Sequence, residues 1–247
     1  MGYGTLTSLP NLDRGAHLLD PGRKQRYVTA LFDTVASSYD RFTKVFSFGM
    51  DQRWKRTLVG LVRQRVVPDA LVLDLATGTG DLARLVCEAM PRARVVGLDA
   101  SRGMLRAWRG GPASRGAGDM MALPVADGAA DAVVAAYAFR NLPDCRRALA
   151  DVRRVLRRGG LLVTLDFYRP DNAVWRAAFV SYLRGAGGLM GWWWHRAPEA
   201  YSYLGPSVAG WVTASEFADG MRAAGLGVEA VLPRLGGGIA LHAARTL

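Results

Sequence analysis

Val72-Leu73-Asp74-Leu75-Ala76-Thr77-Gly78-Thr79-Gly80-Asp81 is the stretch whose reading decides the fold. The apolar run Leu71–Leu75 carries a carboxylate at Asp74 and meets a Gly/Thr turn. Helical spacing follows at Leu82, Leu85 and Val86. The pattern predicts a strand, a tight loop and a helix. Gly78 and Gly80 lack a Cβ, so a ligand can approach the backbone closely, beside the unpaired N–H groups that open the helix. The stretch therefore predicts a nucleotide cradle.

Two cofactor classes use such a turn. Gly78-x-Gly80-x-x-Ala83 fits the relaxed dinucleotide fingerprint, with Asp99 near the expected distance for a ribose contact. Asp74 discriminates between them. A carboxylate at the mouth of the first strand repels a pyrophosphate but suits a ligand carrying an ammonium and a sulfonium, as S-adenosylmethionine does. The plainer alternative is a Gly-rich turn with no ligand.

Downstream, Arg94–Asp99 reads as a short strand ending in a second carboxylate, and Gly118-Asp119-Met120 places a third at the next turn. Residues 131–139 form a buried strand candidate followed by Arg140-Asn141. Ala148, Val152 and Leu156 then line a helix with a basic end (Arg153, Arg154, Arg157, Arg158) that stops at Gly159-Gly160. Residues 161–167 are a fifth strand. The alternation predicts an α/β sandwich around a mostly parallel sheet, whose right-handed crossovers bring Asp74, Asp99 and Asp119 into one cleft.

Upstream, residues 1–22 read as a loose arm. Residues 23–39 form an amphipathic helix through Tyr27, Val28, Leu31, Phe32, Val35 and Ala36, broken by the aromatics of 42–49. A second helix follows, with Trp54, Leu58, Leu61 and Val62 on one face and Arg53, Lys55, Arg56, Arg63 and Arg65 on a basic, solvated face. The pair could cover the cleft as a lid. Toward the other end, residues 173–183 are helical, 185–191 a flexible Gly-rich segment, and Trp192-Trp193-Trp194 partly surface-exposed. Residues 196–224 are helical again. Residues 228–232 and 239–243 form a closing antiparallel hairpin across Gly236-Gly237-Gly238. The expected organisation is the arm at 1–22 and a single domain over 23–247. Within it 23–66 is the helical lid, 70–168 the cofactor-binding core, 169–225 the substrate-side helices and 226–247 the closing strands.

The chain has 247 residues, half of them hydrophobic, which suits one large domain. No apolar run reaches membrane-spanning length, and the N-terminus shows neither a signal-peptide pattern nor a myristoylation signal, so the expected location is the cytoplasm. Two cysteines, Cys87 and Cys145, without CxxC spacing, predict a reducing compartment and no metal site. The net charge of +11 fits an anionic membrane surface, nucleic acid or an Arg-rich genome. Because the basic residues are spread along helices and no RNA-binding signature appears, nucleic acid ranks last.

Four stretches together resemble the ubiquinone/menaquinone biosynthesis C-methyltransferase family of class I S-adenosylmethionine-dependent methyltransferases. They are residues 32–40 running on to 47–56, the cradle, Ala122-Leu123-Pro124 through Phe139-Arg140-Asn141-Leu142, and Tyr201-Ser202-Tyr203-Leu204 with the hairpin ending Ala240-Leu241-His242. The resemblance implies a Rossmann-like sandwich with a seven-stranded sheet. It implies that Thr79 and Asp99 contact the cofactor, with Asp119 and Met120 at the adenine; with the cradle, the candidate cofactor site is Asp74, Ala76, Gly78, Thr79, Gly80, Asp99, Asp119, Met120 and Ala136, and Tyr39, Arg140, Asn141 and Tyr201 are candidates for the substrate side. The family often has Ser at Ala136 and usually Arg at Ser202. The implied reaction moves a methyl group onto a ring carbon of a prenylated quinol, with reversible docking on the inner face of the membrane and a second copy of the chain as a candidate partner. Methylation of a soluble aromatic or polyketide-like metabolite, and a non-catalytic cofactor-binding subunit, are the alternatives.

Overall fold

The structure, a computed structural model, describes residues 21–36, 43, 47–195 and 204–247. Seven strands form one sheet: β1 (Leu71–Leu75), β2 (Arg94–Asp99), β3 (Ser114–Ala117), β4 (Ala130–Ala136), β5 (Leu156–Phe167), β6 (Leu226–Arg234) and β7 (Ile239–Thr246). Their order is β3-β2-β1-β4-β5-β7-β6; the first five are parallel, and β7 lies antiparallel between β5 and β6. The order reverses direction between β1 and β4, which opens a crevice at the carboxyl ends of those strands.

The helices are α1 (Pro21–Val35), α2 (Met50–Arg63), α3 (Asp81–Ala89), α4 (Arg102–Arg106), α5 (Cys145–Val155), α6 (Ala173–His195), α7 (Leu204–Ala209) and α8 (Ala214–Ala223). Strand periodicity of two sorts the core into two layers. Leu73, Leu75, Val133 and Leu162 pack against Leu149 and Val152 of α5 and Phe217 and Met221 of α8. Val72, Val134 and Val163 pack on the other side, against Leu58 and Val62 of α2 and Leu82 and Val86 of α3. Asp74 shares the parity of Val72, so it faces α2 and α3. Burying a Leu or Val fully contributes roughly 1.5–3 kcal/mol, so these two layers hold the sheet between the helices.

Several boundaries differ from the sequence expectation, each for a local reason. The expected arm overlaps α1, which begins at Pro21, a residue well tolerated in a first helical turn; residues 1–20 lie outside the described residues. The strand expected over 131–139 ends at Ala136, because Tyr137 turns to φ 60° and Phe139–Asn141 forms a 3-10 turn. Gly159-Gly160 does not stop a helix. α5 ends at Val155, and β5 starts with Leu156 opposite Ala130, bulges through 157–160 and resumes with Leu161 opposite Ala132. Arg157 leaves the expected helix to pair with Asp131 at 2.6 Å.

The Gly-rich segment 185–191 is helix, as α6 runs unbroken to His195 and carries Trp192-Trp193-Trp194, whose side chains lie outside the described residues. α7 packs on α6, and a Cβ at Gly205 would come within 2.5 Å of Arg184 Cγ, so a small residue is needed at that crossing. The helix expected over 196–224 is α7 and α8, parted where Thr213 caps α8 in a capping box with Glu216.

Candidate active site

The crevice at the carboxyl ends of β1, β2 and β4 is a cleft of about 1050 Å³, open mouth included, within the range of cofactor sites. Its roof is α1, through Val28, Thr29 and Phe32. Two anchors hold that roof. Asp33 Oδ1 accepts the Ser101 hydroxyl at 2.5 Å and the Gly103 N–H at 2.8 Å, while Lys24 Nζ donates to the carbonyls of Arg140 at 3.1 Å and Leu142 at 2.8 Å.

The cradle is built tightly. Gly80 sits at φ 86°, and a Cβ there would lie 2.7 Å from Gly110 Cα, so both backbone angle and space exclude other residues. Gly80 N–H donates to Thr77 O at 2.9 Å, Thr77 N–H to Leu98 O at 3.1 Å, and Arg109 N–H to Thr79 O at 2.6 Å. Ala76 and Tyr137, where β1 and β4 end, both hold positive φ (50° and 60°) and both line the cleft. Non-glycine residues in this region store strain and gather at ligand sites.

Asp74, Asp99 and Asp119 all line this cleft, as expected from their strand ends. Asp74 is buried, and its Oδ2 accepts the Thr77 hydroxyl at 2.5 Å. Burial raises its carboxyl to about 7, against the opposing Thr77 hydrogen bond and the Lys55 charge. Asp99 accepts backbone N–H groups from Gly78 and Ser101, each at 2.7 Å, so it stitches the glycine loop to β2 as well as facing the cleft. Its carboxyl too is raised by burial, with those two hydrogen bonds opposing. A carboxylate has about four acceptor positions, which leaves room for a further donor. Asp119 Oδ1 accepts Met121 N–H at 2.9 Å, fixing the turn that carries buried Met120. Ala76, Gly78, Thr79, Met120 and Ala136 line the same cleft; Gly80 lies just behind it, shaping the loop.

On the opposite wall, Asn141 Nδ2 donates to Tyr137 O at 3.0 Å, which leaves its buried Oδ1 without a partner among the described residues. Arg140 does not face the cleft. It is buried against Asp166, with Nη1 3.1 Å from Oδ1 and its guanidinium carbon 5.1 Å from the Phe167 ring centre. Tyr39 and Tyr201 lie outside the described residues.

Met104 lines the cleft, and Lys24 and Asp33 fasten its roof, without having been singled out from sequence. Lys55 was expected on a solvated face, yet it is buried and bridges Asp51 at 3.0 Å and Asp81 at 2.9 Å. The spacing Asp51, Lys55, Leu58, Val62 was the available signal, because it puts the ion pair on the apolar stripe of α2.

Chemically, the cleft offers carboxylates to a ligand's cationic or hydroxyl groups, apolar walls from Met104, Met120 and Phe32, and one uncommitted amide oxygen. This sheet order and this acidic glycine cradle define a class I S-adenosylmethionine-dependent methyltransferase. The chain belongs to the ubiE/COQ5 methyltransferase family, whose model matches residues 21–246. A demethylmenaquinone methyltransferase of Thermotoga maritima is 37% identical over 216 residues, spanning 84% of this chain and 91% of that one. The ubiquinone/menaquinone biosynthesis C-methyltransferase UbiE of Desulfotalea psychrophila is 39% identical over 203 residues, 80% of this chain and 81% of its own. Among solved structures, a SAM-dependent methyltransferase of Thermotoga maritima superposes with a TM-score of 0.60 at 18% identity, covering 88% of this chain and 99% of that one. The [4+2]-cyclase SpnF superposes at 0.64 and 18% identity, covering 90% and 96%. The fold alone thus does not fix the reaction.

Among the described residues no helix is long and apolar enough to cross a membrane.

Proposed function

We propose that the protein is a C-methyltransferase acting on a prenylated quinol ring, converting demethylmenaquinol to menaquinol or carrying out the benzoquinol equivalent. The observation that carries this reading is the sustained identity, 37% over 216 residues, with a protein named for demethylmenaquinone methylation. The apolar part of the cleft, with Val28 and Phe32 above and Leu142 and Pro143 beside, suits a ring bearing a hydrocarbon tail.

S-adenosylmethionine, when bound, supplies an electrophilic methyl group on a sulfonium. The protein's own tasks are alignment, exclusion of water and handling of a hydroxyl proton. Asp74 answers the cofactor's positive charge, Asp99 its ribose hydroxyls, and Asp119 with Met120 its adenine. Ala76, Gly78, Thr79, Gly80 and Ala136 shape the wall against it. Loss of a quinol hydroxyl proton to solvent would raise electron density at the neighbouring ring carbon; that carbon would bond the methyl group as the sulfonium–methyl bond breaks, and its ring proton would pass to water. Asn141 Oδ1 is the acceptor assigned to the substrate hydroxyl. Tyr39 and Tyr201 complete the proposed substrate side, while Arg140, turned into its ion pair with Asp166 rather than into the cleft, acts there by positioning the turn that carries Asn141.

The test is incubation of the purified protein with S-adenosylmethionine and reduced demethylated quinones of both ring types, followed by mass spectrometry. A product one methyl heavier on the ring supports the reading and separates the two ring classes. Methyl transfer confined to soluble phenols refutes it.

A prenylated quinol resides in the bilayer, so reversible docking there is part of the proposal, and two features support it. One is the net charge of +11. The other is the exposure of Val174, Trp175 and Leu235, beside the strand ends where β5 finishes and β7 begins. Binding to anionic vesicles that high salt reverses is the expected result; equal absence from anionic and neutral vesicles refutes docking.

A further inference from the structure

We propose that Lys55 anchors the carboxylate of the cofactor's amino-acid end, so that this end of the ligand is held by a pair, Asp74 for the ammonium and Lys55 for the carboxylate. The inference rests on the cleft being the S-adenosylmethionine site. It assigns a binding role to a buried cation that the reaction does not otherwise use.

The first argument is position. Among the described residues that line the cleft, Lys55 is the one cation. A carboxylate entering a partly buried site must meet a cation or unspent N–H donors, since an unpaired buried charge is strongly disfavoured. The glycine loop offers little, because Gly78 N–H is given to Asp99 and Gly80 N–H to Thr77 O.

The second argument is donor capacity. An ammonium carries three N–H donors. Among the described residues two are spent, on Asp51 Oδ2 at 3.0 Å and Asp81 Oδ2 at 2.9 Å, which leaves the third for a ligand. The two carboxylates also fix where Nζ stands, and Gln52 Nε2 steadies Asp81 from the side at 2.7 Å. Burial disfavours the charged form of Lys55, but Asp51 and Asp81 outweigh it, so the amine stays protonated across the working pH range.

The third argument is complementarity. The amino-acid end of S-adenosylmethionine carries an ammonium and a carboxylate, and the same wall of the cleft presents the Asp74 carboxyl and the Lys55 ammonium to them. Asp51 and Asp81 keep Lys55 charged, and Arg84, shared between Asp81 and Glu88, reduces the negative charge that a ligand carboxylate meets there.

The test uses titration calorimetry with S-adenosylhomocysteine and with 5′-methylthioadenosine, which lacks the amino-acid end. Lys55→Met is expected to weaken S-adenosylhomocysteine by about 10- to 100-fold and 5′-methylthioadenosine by less than about twofold; Lys55→Arg recovers most of the loss. Equal losses on both ligands, or no loss on either, overturn the assignment. If Lys55→Met does not fold, the wild type decides alone. Decarboxylated S-adenosylmethionine is then expected to bind at least about 10-fold more weakly than the parent, and equal affinity overturns the proposal. A wild type that binds none of these ligands overturns the cofactor site itself, a result distinct from either.

Discussion

Arg140 and Asp166 form a buried ion pair, Nη1 to Oδ1 at 3.1 Å, that ties the turn after β4 to the end of β5. Asp166 also accepts the N–H of Phe167 at 2.8 Å. Burial pushes the Asp166 carboxyl up and the Arg140 charge pulls it back, so each group depends on the other. Removing one partner leaves a buried charge uncompensated. Asp166→Ala is therefore expected to cost about 3–5 kcal/mol in urea unfolding. The joint change Arg140→Met with Asp166→Leu is expected to recover most of that stability without recovering methyl transfer. Recovery of both would remove Arg140 from the substrate side.

Asp99 has a double duty that sharpens its expected phenotype. Its two backbone hydrogen bonds hold the glycine loop, so Asp99→Ala removes a ligand acceptor and loosens the loop at once. The expected loss in S-adenosylmethionine affinity is about 1–3 kcal/mol, or roughly 5- to 150-fold, by calorimetry. Unchanged affinity would place the ribose elsewhere.

Asp74 makes the cofactor-free protein sensitive to pH. Its carboxyl is raised to about 7, so the folded chain keeps a proton that the unfolded chain releases near pH 4. Ionising it in place subtracts stability as pH rises from about 4 to about 7. Asp74→Asn removes that loss. The stability advantage of Asp74→Asn over the wild type is expected to be small at pH 4, to grow to at most about 4 kcal/mol by pH 7 and to level off above. Buried His242, held down at about 4, acts with the opposite sign from about pH 4 to about 6.5, but it is present in both proteins and cancels in the difference. The same variant should bind S-adenosylmethionine more weakly, since an amide does not answer the ligand's positive charge as a carboxylate does. Denaturant melts across this range check the first claim; an advantage that does not change with pH overturns it.

How much of this was legible in the sequence follows from which forces are local. β1 and β2 were read to the residue because an apolar run ending in a carboxylate and a glycine turn is a complete local signal. The convergence of Asp74, Asp99 and Asp119 was legible because parallel crossovers force it. Lys55 was misread because a cation at one helical position looks solvated until its partner Asp81, 26 residues away, is brought beside it. The segment 185–191 was misread because glycine propensity argues for a loop where α6 continues as helix. The turn at Tyr137 escaped because nothing in the residue type announces a positive φ.

The roof of the cleft gives the last prediction. α1 is fastened near both ends, by Lys24 to the carbonyls of Arg140 and Leu142 and by Asp33 to Ser101 and Gly103. Both fastenings cross to elements that follow β2 or β4, so α1 spans the cleft from wall to wall. Few core residues belong to it, and its release costs the sheet little. Burial and the neighbouring Arg140 charge lower the Lys24 amine, so part of its bonding is offset by desolvation. Lys24→Met is therefore expected to remove only about 1 kcal/mol of closure, speeding cofactor dissociation about fivefold in stopped flow, with an unfolding midpoint shifted by no more than a degree or two. Adding Asp33→Asn frees the other end, and dissociation should accelerate further while unfolding stays where it was. An unchanged dissociation rate in the double variant would mean that α1 does not gate the cleft. A fall in stability matching the rise in rate would mean instead that α1 is part of the core.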